Sequence, residues 1–168
     1  MILGMSTSAF TTLHVVLSLI GIATGLIVAA GMFGSKRFDG WTAVFLATTI
    51  LTSVTGYFFP VDRILPSHIV GAISLVALTA ATIAFYRYRF EGASRGIYVI
   101  TALIALYLNV FVLVVQGFLK VAALKALAPT QSEPPFLVAQ GVVLAAFVAI
   151  TIGAFRAFHP ATLERVNP

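Results

Sequence analysis

The chain has 168 residues, of which 60% are hydrophobic and only 9% charged, with a formal net charge of +5 and no cysteine. A soluble domain carries about 25% Asp, Glu, Lys and Arg to coat its surface, so the composition suits a lipid solvent and excludes a secreted enzyme, a nucleic-acid binder and a disordered tail. Without cysteine there are no disulfides, iron–sulfur clusters, thiolate zinc sites or thiol nucleophiles.

A membrane-crossing helix needs about 20 mainly apolar residues, and five stretches meet that requirement. Residues 1–168 therefore read as a single transmembrane domain of an all-α integral membrane protein. Span one covers residues 8–33 and ends at Gly34-Ser35-Lys36-Arg37. Span two covers 41–59, with Asp39 placed to cap its start and Pro60 to stop it. Span three covers 67–88, behind Pro66-Ser67. Span four covers 95–118 and carries a helical extension to residue 127, giving a run of about 50 Å that overshoots the bilayer. The connector from Ala128 to Pro135 holds three prolines and breaks the helix, and span five covers 136–158.

Cationic loops stay on the cytoplasmic side. Five spans place Lys36, Arg37, Arg87, Arg89, Arg95, Arg156 and Arg165 on one side and Arg63, Lys120 and Lys125 on the other. The first side reads as cytoplasmic, leaving the N-terminus outside and the C-terminus inside a bacterial-type inner membrane. No Lys or Arg precedes Lys36, so the chain begins without the positive region of a cleaved signal peptide.

Spans one and two repeat faintly in spans three and four. His14-Val15-Val16 corresponds to His68-Ile69-Val70, and Arg37-Phe38-Asp39-Gly40 to Arg89-Phe90-Glu91-Gly92. The expected architecture is a bundle of two similar hairpins with span five packed outside. A pseudo-twofold axis along the membrane normal would set His14 and His68 at similar depth near the outer face. Two facing imidazoles suit a b-type haem or a metal ion. Gly21 and Gly71, near the two histidines, would leave room for a flat macrocycle, and Arg63 and Lys120 would pair with its propionates. Gly21 and Gly25 also form a GxxxG pattern, which serves close helix packing.

Further polar residues gather toward the same face: the stripe Asn109, Gln116 and Lys120 on span four, Gln140 on span five, and the outer acids Asp62 and Glu133. Together they describe an outward-open polar pocket. No catalytic signature accompanies it: there is no His-Glu-x-x-His, no phosphate-cradling glycine loop and no pair of intramembrane carboxylates. Three roles fit: a haem- or metal-binding protein that exchanges electrons with a quinone or a redox partner subunit; a small-solute or ion binding or channel protein, possible as a homo-oligomer; and an accessory or assembly subunit that binds no cofactor.

Overall fold

A computed structural model describes residues 1–60 and 66–160. Among these residues the chain is all-helical: α1 (Thr7–Phe33), α2 (Asp39–Gly56), α3 (Pro66–Tyr86), α4 (Ser94–Lys120), α5 (Ala122–Leu127) and α6 (Pro134–Ala157). Four of them, α1, α3, α4 and α6, are long and apolar enough to cross a membrane. At 18 residues α2 is shorter, and Asp39 together with six Thr and Ser side chains dilutes its apolar character.

Several ends differ from the sequence-based boundaries. Ser6 caps α1, its hydroxyl accepting from the Ala9 amide at 3.2 Å. Asp39 does not cap α2: it is the first helical residue after Phe38, and its carboxylate takes a two-pronged grip from Arg37 at 3.0 and 3.1 Å. α2 stops at Gly56, before Pro60, because Tyr57 and Phe59 leave the helix axis to pack on α3 and α1. α3 ends at Tyr86, and the turn beyond it holds Arg89 and Phe90 at positive φ (46° and 71°). The extension to residue 127 is not continuous. Val121 is extended (ψ 115°), and α5 folds back so that Leu124 Cδ1 lies 3.6 Å from where a Cβ on Gly117 would stand.

The helices α1 to α4 form a closed ring in which each packs on the next and α4 returns to α1. α2 and α4 touch across one diagonal, and α6 lies outside the ring against α4 and α1. α2 runs antiparallel along α1. Phe38 sits against Gly31, Phe45 against Gly25, Thr49 against Gly21, and Thr55 against His14. These contacts cover about 25 Å of α1 at 1.5 Å per residue.

The two ends of the ring are packed differently. At the arginine end Phe85, Phe90, Tyr98 and Phe158 stack edge to face or tilted, with centroids 4.9 to 6.1 Å apart. The Arg37 guanidinium lies over Phe90 at 4.9 Å. Phe45, Leu78, Leu103 and Leu106 continue this core inward and are essentially fully buried. Outside it, Leu26, Val76, Val138, Val142 and Val148 are exposed, as side chains in contact with lipid would be.

Arg95 holds α6 in place, donating through Nη1 to the Phe155 and Phe158 carbonyls at 2.9 and 2.7 Å. A cation on these terminal carbonyls also complements the helix dipole. Arg95→Met is expected to cost about 1 kcal/mol and to loosen residues 155–160 first, read as faster amide exchange there than in α4.

Candidate functional site

At the histidine end the ring is hollow. A cavity of about 550 Å³ lies among Thr11, His14, Val15, Ser18 and Leu19 of α1, Gly56 and Phe59, Ser67 and His68 of α3, and Val112, Leu113, Gln116, Gly117 and Lys120 of α4. Its volume falls in the range of about 300–1,000 Å³ typical of small-molecule sites. A narrower cleft of about 100 Å³ continues from it between Thr49, Thr52, Ser53, Tyr57, Gly71, Ser74 and Asn109. His14, Ser18, Gly56, Ser67, His68 and Val112 line both.

The cavity exists because its walls are short or polar at helical spacing. α1 presents Thr11, His14 and Ser18, α2 presents Thr49, Ser53 and Gly56, and α3 presents Ser67, Gly71 and Ser74. α4 adds Asn109, Gln116 and Lys120. Its floor is tied by two hydrogen bonds: Ser18 donates to Asn109 Oδ1 at 2.7 Å, and Ser53 donates to Ser74 at 3.2 Å. Below this floor Gly25 lets α1 close on α2 and α4, where a Cβ would meet Leu106 at 2.6 Å and Phe45 at 2.9 Å.

His14, in the second turn of α1, is oriented from two sides. Its Nδ1 lies 2.8 Å from Thr55 Oγ1, and Phe59 meets the ring edge to face at 5.3 Å. The Thr55 hydroxyl donates its one proton to the Leu51 carbonyl at 2.7 Å, so toward His14 its oxygen accepts. This network assigns the imidazole proton to Nδ1. Nε2 then carries the lone pair, and no described residue hydrogen-bonds it.

His68 is the third residue of α3. The Tyr57 hydroxyl donates to its carbonyl at 2.7 Å, and the two rings lie 5.4 Å apart. The histidines thus stand on α1 and α3, the two ring helices that share no packing comparable to that of their neighbours, with the cavity between them.

The structure brings His14, His68, Gly71, Asn109, Gln116 and Lys120 to this cavity and leaves other sequence-based candidates elsewhere. Gly21 does not clear space for a ligand: a Cβ there would lie 2.8 Å from Thr49 Oγ1 and 3.3 Å from Asn109 Nδ2, so it is a packing contact. The bare side of Gly71 is taken by Tyr57, whose hydroxyl would be 3.2 Å from a Cβ. Gln140 is buried between α6 and α4, donating to the Phe111 carbonyl at 3.2 Å. Glu133 stands at the N-cap of α6 but turns back on its connector, accepting from the Thr130 hydroxyl at 2.9 Å and from the Thr130 and Ser132 amides. Desolvation, the largest single influence, pushes the Glu133 carboxyl up, yet these hydrogen bonds together outweigh it and hold it below the usual carboxylate range. Asp62 and Arg63 lie outside the described residues.

No group of three or more His, Asp or Glu side chains able to hold a metal ion occurs among the described residues. The pair His14 and His68 has no such third partner there. Thr49, Ser67 and Ser74 complete the cavity without having been anticipated as site residues. The signal for two of them was available in the spacing Ser67, Gly71 and Ser74, one face of one helix.

No protein family, curated protein or solved structure matches this chain. Fold and cavity define the class: an all-helical protein whose apolar helices fit a lipid bilayer, hollow at one end of its helix ring.

Proposed function

We propose that the protein is an electron-transfer protein of a bacterial-type inner membrane, binding a b-type haem between His14 and His68. One observation carries this reading. His14 is held by a proton-donating bond to Thr55 with its other nitrogen uncommitted, in a cavity whose opposite helix supplies a second histidine. An outer partner that fixes the tautomer of an imidazole is the usual support of a metal-ligating histidine. A bare metal ion needs three or four protein ligands, and no group of three His, Asp or Glu side chains occurs among the described residues. A haem brings four nitrogens of its own, and two histidines complete it. When bound, it would supply a one-electron couple. Lys120, at the cavity mouth, is placed to pair with a propionate.

This reading takes α2 as a fifth span, supported by its antiparallel course along α1 from Gly31 to His14. The arginine end then faces the cytoplasm and the histidine end the outside. A solute channel finds less support, since the arginine half of the ring is closed by Phe45, Leu78, Leu103, Leu106 and the aromatic cluster. A reporter fused after Pro168 should signal cytoplasm; an external signal would invert the orientation.

Expression with ample haem and purification in mild detergent tests the assignment. The expected product shows a Soret band and sharp bands on reduction with dithionite. A colourless protein that is otherwise folded would sink the haem reading.

A further inference from the structure

The narrower cleft is lined by buried polar groups that the described residues leave unsatisfied. On α2 the hydroxyls of Thr48, Thr52 and Thr55 donate to the carbonyls four residues back. The Thr49 hydroxyl among them makes no hydrogen bond, although the residue is only 1% exposed. Ser74, buried on α3, accepts from Ser53, and its own proton meets no acceptor among the described residues. Asn109, buried on α4, has two amide protons, of which one reaches the Ser18 carbonyl at a long 3.4 Å. Thr49, Ser53, Ser74 and Asn109 line the cleft and not the wide cavity.

These groups lie deep. Thr49 Oγ1 is 2.8 Å from where a Cβ on Gly21 would stand, in the middle of the 27-residue α1, which puts it about 20 Å from either end of that helix. Lipid at this depth offers no hydrogen bond. Upward the cleft joins the wide cavity, since His14 and His68 are among the residues that line both. Downward it is closed by Phe45 and Leu106, which meet at Gly25 and are each about 1% exposed.

From this we infer that the cleft is a water site: a short file of water enters from the histidine end of the ring and ends blind at Thr49. The volume of about 100 Å³ admits about three water molecules at roughly 30 Å³ each. Its lining supplies what water needs, protons from Ser74 and Asn109, lone pairs from Ser53, and both from Thr49. A bare cation would face the Ser74 and Asn109 protons, with no Asp or Glu among the described lining residues to offset its charge. An acyl chain would leave Thr49, Ser74 and Asn109 unpaired. Because His14 and His68 border the file, it solvates a charge held between them, which the surrounding lipid does not do. The inference does not depend on the haem.

Solid-state NMR of the protein in nanodiscs, with magnetisation started on the water protons, tests the site. The Thr49 side chain and the Asn109 side-chain amide should receive it early, well ahead of the buried Leu106 amide. The chain has two asparagines, Asn109 and Asn167, so isotope labelling of asparagine alone and an Asn167→Gln variant identify the Asn109 signal. Ser74→Val, which puts methyl groups into the cleft in place of a hydroxyl, should abolish the early transfer. Ser53→Val repeats the test if the first variant folds poorly. Liposomes carrying the protein should hold a pH gradient as long as protein-free ones do. Transfer to Thr49 and Asn109 no earlier than to Leu106, or early transfer that survives in both variants, overturns the water site. Rapid loss of the gradient overturns its blind end. None of these outcomes is read from the haem spectrum, so the two proposals fail separately.

Discussion

His14→Ala is expected to lose bound haem altogether, leaving no Soret band in protein purified side by side with a coloured wild type. The stability cost should be small, because the one hydrogen bond His14 makes, to Thr55, is worth about 1 kcal/mol net. The loss of colour is thus separable from unfolding. Two companions sharpen the result. His14→Gly leaves a space that free imidazole can enter, and millimolar imidazole should restore the band if the missing side chain was an iron ligand. Thr55→Val removes the acceptor that holds the Nδ1 proton while keeping the shape of the side chain. Loss of such an outer partner typically weakens metal binding about 10–100-fold, so haem should titrate away from this variant first. If His14→Ala retained its full haem content, His14 would not be a ligand.

Gly25→Val is expected to be the most damaging single substitution in the bundle. A Cβ at this position would stand 2.6 Å from Leu106 Cδ1 and 2.9 Å from two carbons of the Phe45 ring. Leu106 and Phe45 are themselves about 1% exposed and have nowhere to retreat. Overpacking of this kind costs about 1–3 kcal/mol, and here it acts where α1, α2 and α4 meet beneath the cavity floor. Gly141→Ala is the control, since a Cβ there meets nothing within 4 Å. It should be neutral or stabilise α6 by up to about 1 kcal/mol. Thermal unfolding of the three proteins in one detergent decides the point. Equal loss in both variants would mean that close packing at Gly25 is not what the substitution disrupts.

Much of the helical layout was legible in the chain because hydropathy and proline placement carry it directly: α1, α3, α4 and α6 match apolar runs to within a few residues. The ends were less legible, since they depend on tertiary contacts. Tyr57 and Phe59 leave α2 early to reach His68 and His14, and Leu124 folds back on Gly117 rather than prolonging α4.

At the site, the repeat and helical periodicity located His14, Asn109, Gln116 and Lys120. They fixed depth along a helix without saying which helices are neighbours. Gln140 fell at a suitable depth but sits on α6, outside the ring, where Phe111 takes its amide. The hydroxyls of α2 carry little signal in the sequence, because Thr and Ser usually bond back to their own helix. Thr48, Thr52 and Thr55 do so. That bond uses only the proton, however, and the Thr55 oxygen keeps a lone pair for His14. A hydroxyl can satisfy its helix and still orient a neighbouring imidazole.

The central claim, that His14 and His68 together hold one haem, is tested most directly by titrating haem into purified protein. The wild type is predicted to reach a sharp endpoint at one haem per chain, with the spectrum of a low-spin, two-histidine site. The double variant His14→Ala, His68→Ala should show only the gradual, unsaturable absorbance of haem partitioning into detergent. Identical titration curves for the two proteins would contradict the account.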